Sequence, residues 1–227
     1  MPSIHEGHRQ RLKDRFLKRG LDDFEPHNVL ELLLFYAVPQ RDTNDLAHRL
    51  LKHFGSLSAV FDANFDDLCK VDGVGKNTAT LIKMIPDLFR RYQDDYNKEG
   101  VVLTDIAQMG EFLRPKFIGR TKEHIFLLCL DNKGSVVYAD FIIEGTINSA
   151  PLYTRNILEI AMRCQATSAI LAHNHPKGLA IPSNADLIST RSVYDALEVA
   201  KIKLIDHFIF AGSDYTSLRN SGFFTFR

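Results

Sequence analysis

The sequence predicts a chain of mixed α/β (α+β) class, with a helical N-terminal domain followed by a domain of intermixed strands and helices. Three observations carry this. Apolar residues recur at helical spacing through the first part of the chain. A polar run, Gln93-Asp94-Asp95-Tyr96-Asn97-Lys98-Glu99-Gly100, then interrupts it as a candidate linker. Beyond that run, short apolar segments bounded by turn residues alternate with helical stretches. The expected domains are 1–96 and 101–227.

In the first domain, Leu30, Leu32, Leu33 and Leu34 share one apolar segment. Leu46, Leu50, Leu51 and Phe54 form a core-facing helical stripe that Gly55 stops. A helix is expected from Asn77, with Pro86 kinking or breaking it. In the second domain, Ile125 to Leu130 reads as a strand, Asp131-Asn132-Lys133-Gly134 as a turn and Ser135 to Ile143 as a second strand. Helices fit Thr154 to Gln165 and Asn184 to Val199. Ser168 to Ala172 and Ile202 to Phe210 read as further strands.

Bulk properties bound the function. Hydrophobic residues make up 45% and charged residues 25% of the 227, enough for a real core. Lys plus Arg and Asp plus Glu both total 28, which argues against coating nucleic acid or anionic membrane by bulk charge. Cys69, Cys129 and Cys164 are far apart, odd in number and set among apolar residues, so buried thiols in a reducing cytosol are expected. The N-terminus lacks a signal-peptide core and no apolar run is long enough to span a bilayer, so a cytoplasmic location without membrane contact is expected. Oligomeric state stays open.

The chemistry gathers at Ala172-His173-Asn174-His175-Pro176. Residues two apart on a strand point to the same side, so the two imidazoles can converge on one ion. Pro176 ends ladder pairing and opens a loop. Asp186 follows at the start of a helix and adds a hard oxygen. Three protein ligands with a position left free is the catalytic zinc arrangement. Each piece also has a plain structural reading: Ser183-Asn184-Ala185-Asp186 is a capping box, a role that on these residues alone Ser183 can combine with chemistry and Asp186 hardly can.

The spacing of His173-x-His175, seven residues, then Ser183-x-x-Asp186 resembles the signature of the JAMM (JAB/MPN) metalloprotease domain, a mixed-sheet, cytidine-deaminase-like fold. With Glu144-Gly145-Thr146-Ile147-Asn148-Ser149, Arg155, Pro182-Ser183 and Asp206-His207, the chain is similar to the bacterial RadC family over essentially its whole length. The resemblance implies one Zn2+ per chain held by His173, His175 and Asp186, and hydrolysis of a peptide or isopeptide amide bond in a protein or peptide substrate. It places the general base at Glu123, just before the first strand; Glu144, at the end of the next strand and beside a glycine, is the alternative, and Ser183 is the expected oxyanion donor. Asn148 and Arg155 are candidates for facing substrate. His207 reads as a hydrogen-bonded core histidine or as support for the site. One departure is Lys177, where the family usually has Ser, which puts substrate contacts in doubt.

Val71-Asp72-Gly73-Val74-Gly75 resembles the turn of a helix-hairpin-helix motif. Glycines there let backbone amides approach a phosphate at the following helix N-terminus, so Gly73, Gly75 and Lys76 are candidate DNA-backbone contacts, with Lys70 beside them. The basic stretch Arg9, Arg11, Lys13, Arg15, Lys18 and Arg19 is a candidate assistant or a solvated face. The competing functional class is a DNA-binding accessory protein of repair or replication whose metal site is structural or vestigial.

Overall fold

Leucine spacing decides where the first helices form. A computed structural model describes residues 4–39, 42–96, 101–145 and 150–224, and its contacts divide the chain into two units, Met1–Phe89 and Arg90–Arg227. In the first unit α1 (Ile4–Arg19), α2 (Pro26–Leu34), α3 (Asn44–Phe54), α4 (Leu57–Asp62) and α5 (Phe65–Cys69) precede α6 (Lys76–Tyr96). Pro26 opens α2, where its missing N–H costs no hydrogen bond. Leu46, Ala47 and Leu50 of α3 pack with Leu30 and Leu34 of α2 and with Val60, Leu68, Val71, Val74, Ala79 and Ile82. Gly55 closes α3 at φ 92°, its N–H donating to Leu51 O at 2.8 Å. The expected break at Pro86 does not occur, because α6 continues to Tyr96. Residues 93–96 of the expected linker are therefore helical, and 97–100 lie outside the described residues.

The second unit carries α7 (Ile106–Phe117), β1 (His124–Leu130), β2 (Val136–Glu144), α8 (Ala150–Arg163), β3 (Ser168–Asn174), α9 (Asn184–Val199), β4 (Lys203–Ala211) and β5 (Asp214–Ser217). The strands form one mixed sheet in the order β2-β1-β3-β4-β5. β3 and β4 run parallel, joined through α9, and the other pairs are antiparallel. Helix α7 and strand β5 were not expected. Gly110 and Pro115 inside α7 weaken its local helical signal, yet Gly110 is needed where the helix meets Tyr215 of β5: a Cβ there would stand 2.8 Å from the phenol oxygen.

The central strands β1, β3 and β4 are largely buried on both faces, and residue parity sorts them. Ile125, Leu127 and Cys129 of β1 and Ala169 and Leu171 of β3 pack with Tyr153, Ile157 and Ala161 of α8 and Val193 and Leu197 of α9. Phe126, Leu128, Ile170, Ala172, Phe208 and Phe210 pack with Met109, Leu113 and Phe117 of α7. Leu127, Leu128, Leu171 and Phe208 are wholly buried, each worth about 1.5–3 kcal/mol over exposure. The odd-numbered positions of β3 thus face α9, which directs His173 toward the helix that begins beside Asp186. Among the described residues, no helix is long and apolar enough to cross a membrane.

Candidate metal centre

His173 sits near the C-terminal end of β3, and His175 follows it where the chain leaves the sheet, still tied to β4 by its N–H donating to Phe210 O at 2.8 Å. Their Nε2 atoms approach to 2.9 Å. Asp186, in the first turn of α9, brings Oδ1 to 3.3 Å from His173 Nε2 and Oδ2 to 3.5 Å from His175 Nε2. The three ligand atoms lie within 4.8 Å of one another. Ligands at 2.0–2.1 Å from a tetrahedral zinc are separated by about 3.3 Å, so the two carboxylate–imidazole distances suit such an ion.

The donor chemistry fits as well. His175 Nδ1 lies 2.9 Å from Leu179 O, and a carbonyl only accepts, so Nδ1 carries the proton and Nε2 presents a lone pair in the neutral ring. Burial alone would raise the Asp186 carboxyl, but the neighbouring His173 ring and the Ser183 hydrogen bonds outweigh it and hold the group well below the usual carboxylate range. An anionic oxygen therefore faces imidazole nitrogen across a space of cation size.

Asp186 also completes the capping box of α9. Its Oδ2 accepts from Ser183 N at 2.8 Å and from Ser183 Oγ at 2.7 Å, and Ser183 Oγ accepts from Asp186 N at 3.2 Å. The two oxygens of Asp186 divide: Oδ2 closes the box while Oδ1 faces His173 free of the cap, so capping leaves one carboxylate oxygen available. Ser183 directs its hydroxyl proton at Asp186, so donation to an oxyanion requires that hydroxyl to turn.

These residues open on a cavity of about 800 Å3 whose lining includes Glu123, Ile125, His173, His175, Lys177, Ser183, Asp186 and Ile188. Glu123 precedes β1 and accepts from Gly145 N through its backbone oxygen at 2.8 Å. Glu144, the alternative base, is at the end of β2 and outside that lining. Its carboxylate pairs with Lys122 Nζ at 2.6 Å, and that hydrogen bond lowers its pKa. Asn148 lies outside the described residues, and Arg155 is on α8, paired with Glu159 at 2.7 Å. Cys129 is buried in the core and Cys164 packs against it.

His207 is the hydrogen-bonded core histidine of the expectation, and its partner is a candidate ligand. The ring is buried on β4, and its Nε2 lies 2.8 Å from His173 Nδ1. Burial holds it neutral, far below the ordinary histidine range. Sequence reasoning missed Thr190, whose Oγ1 lies 2.6 Å from His207 Nδ1, and the side-chain role of Asn174. The signal for Thr190 is its place one helical turn after Asp186.

In the helical unit, Gly73 lies between α5 and α6 at φ 89°, and Gly75 O accepts from Ala79 N as α6 begins at Lys76. Lys70 is paired with Asp67 at 2.7 Å. Much of the basic face of α1 is engaged at home: Arg9 donates to Val38 O and Pro39 O, Lys13 lies over Tyr36 and Arg15 over Phe24.

A five-stranded mixed sheet with a His-x-His strand end facing a helix-borne aspartate is the architecture of a JAB-type domain. Residues 103–223 match the family described as RadC-like JAB domain, and residues 5–80 match UPF0758 N-terminal. A UPF0758 protein of Fusobacterium nucleatum is 32% identical over 225 residues, covering 96% of this chain and 97% of that protein. One from Photobacterium profundum is 34% identical over 212 residues, 93% and 95% of the two chains. The chain belongs to the RadC-like UPF0758 family.

Proposed function

We propose that this chain is a zinc-dependent hydrolase of the JAMM type, cleaving a peptide or isopeptide amide bond in a protein or peptide substrate. The observation that carries this is the convergence of His173, His175 and Asp186 in the lining of a cavity that Glu123 also lines. Those three residues would hold one Zn2+. When bound, zinc supplies Lewis acidity toward the scissile carbonyl and acidifies water to a pKa of about 7. Glu123 takes the proton from the attacking water and returns it to the leaving amine. Ser183, once its hydroxyl turns from Asp186, donates to the developing oxyanion. Ile125 and Ile188 give the cavity apolar wall, and Lys177 gives it a cation.

The test is zinc content of natively purified protein beside an Asp186→Ala variant, followed by chelator-sensitive hydrolysis of peptide and isopeptide substrates. About one zinc per chain, lost in the variant, together with chelator-sensitive hydrolysis, is expected. A wild type that is metal-free and takes up no added zinc overturns the reading.

A further inference from the structure

Among the described residues, a chain of hydrogen bonds that the mechanism above does not use runs from the backbone of one candidate ligand, through two side chains, to the ring of another. Thr190 Oγ1 lies 2.5 Å from Asp186 O and 2.6 Å from His207 Nδ1, and His207 Nε2 lies 2.8 Å from His173 Nδ1. Thr190, His207 and His173 are all buried, so water does not supply alternative partners readily.

We propose that Thr190 is a positioning residue that, through His207, fixes the tautomer of His173 so that Nε2 is presented as a bare donor to a metal ion. This rests on the metal reading of the site and explains how the chain prepares for it.

The directions follow from the one fixed end. A backbone carbonyl has no proton, and two oxygens at 2.5 Å repel unless a hydrogen lies between them, so Thr190 donates to Asp186 O. Its single proton is then spent, and Thr190 Oγ1 accepts from His207, which must carry hydrogen on Nδ1. A neutral His207 has a bare Nε2, which accepts from His173 Nδ1–H. In the neutral ring His173 is then left with a lone pair on Nε2, the atom 3.3 Å from Asp186 Oδ1 and 2.9 Å from His175 Nε2, a set of facing acceptors that a cation between them would reconcile. If Thr190 instead donated to His207, every step would reverse and His173 Nε2 would carry a proton where a ligand lone pair is required.

One threonine hydroxyl therefore ties together both sides of the site. It braces the backbone of Asp186 on α9, and through β4 it orients His173 on β3. The parallel pairing of β3 with β4 sets Leu171 opposite His207 and makes the ring contact possible.

Two measurements on the full-length chain test this. In chelator-treated, 15N-labelled protein, long-range proton–nitrogen spectra read the imidazole tautomers directly, with Nδ1–H expected on both His173 and His207. Nε2–H on either ring overturns the proposal. Zinc affinity is then measured by competition with a chromophoric chelator. Thr190→Val is expected to weaken zinc by about 10–100-fold, and Thr190→Ser to return it to within about threefold of wild type. Unchanged affinity in Thr190→Val also overturns it. If the wild type takes up no zinc, the metal reading fails by itself, while the spectra still decide the hydrogen-bond chain. If Thr190→Val does not fold, the wild-type spectra decide alone.

Discussion

Asn174 Oδ1 accepts from the backbone N–H of His124 at 2.8 Å, joining the strand end that carries both histidines to the segment that carries Glu123. The same amide donates through Nδ2 to Lys122 O at 3.0 Å and to Arg120 O at 3.4 Å. Glu123 lies between Lys122 and His124, so its backbone is gripped on either side by the residue between the two imidazoles. Even parity turns Asn174 away from α9, and His173 and Asn174 serve opposite faces of one strand end. Asn174→Ala strips the partner from the buried His124 N–H, worth about 1–3 kcal/mol, and from the part-buried Lys122 carbonyl. Amide turnover is expected to fall with zinc stoichiometry unchanged, read by kinetics beside metal analysis; loss of zinc with intact turnover per zinc would contradict this.

The two carboxylates near the site separate by their surroundings. Glu123 lines the cavity, whereas Glu144 is held by Lys122 and lies outside the lining. Glu123→Gln is expected to lower turnover by about 10²–10⁴ while retaining zinc, and Glu144→Gln to leave it near wild type. The reverse ranking in a paired kinetic comparison would transfer the base to Glu144.

Much of this site is legible from residue type and spacing. His173, His175 and Asp186 stand out as a candidate ligand set through the resemblance of their spacing to the JAMM signature, and α9 runs from Asn184 to Val199 as its periodicity predicts. The supporting contacts are not legible, because they depend on a bulge. Pairing of β3 with β4 shifts register between Ala169 and Ile170, where Leu204 and Asp206 are the successive partners. That extra residue switches parity along β4: Leu204 packs toward α8 and α9, Phe208 and Phe210 pack toward α7, and His207 falls beneath His173. Simple alternation counted from Leu204 would turn His207 to the other face. Helix α7 escaped for a different reason, since tertiary packing of Gly110 on Tyr215 overrides its local signal.

The two glycines of the α5–α6 turn, alike in sequence, differ in structure. Gly73 has φ 89°, and a Cβ on it would stand 3.3 Å from both Leu46 Cδ1 and Arg49 Nη2. Gly75 has open space at that position. Gly73→Ala is expected to destabilise the chain by about 1–3 kcal/mol. Gly75→Ala costs at most about 1 kcal/mol, the difference between these residues at an N-cap. Denaturant unfolding ranks the two, and equal losses would show that Gly73 is not strained.

Ser183 and Asp186 share a capping box but are expected to fail differently. Asp186→Asn keeps an oxygen for the Ser183 N–H, so the metal-free protein should melt near wild type while zinc binding is lost. Ser183→Ala removes the cap acceptor, costing about 0.5–2 kcal/mol, and the oxyanion donor, costing about 10²–10³ in turnover, with zinc kept. Melting in chelator beside a zinc titration separates them. A Ser183→Ala protein that loses zinc would make the cap, rather than the carboxylate charge, the main determinant of metal binding.

Zinc itself should stabilise the fold, because the site sets a carboxylate and imidazole nitrogen face to face. Asp186 Oδ1 lies 3.3 Å from His173 Nε2, and His175 Nε2 presents a lone pair 3.5 Å from Oδ2. Without a cation, that lone pair and the carboxylate oppose each other; with one, the same groups become ligands supplied by β3, α9 and the loop between them. A ligand at a hundred times its dissociation constant adds about 2.7 kcal/mol. In a chain of this size each kcal/mol moves Tm by roughly 2–4 °C. The expected rise on adding zinc is therefore roughly 5–10 °C, reversed by chelator and absent in Asp186→Ala. A wild type whose melting ignores zinc would mean that the three side chains converge for structural reasons, with Asp186 serving only as the cap of α9.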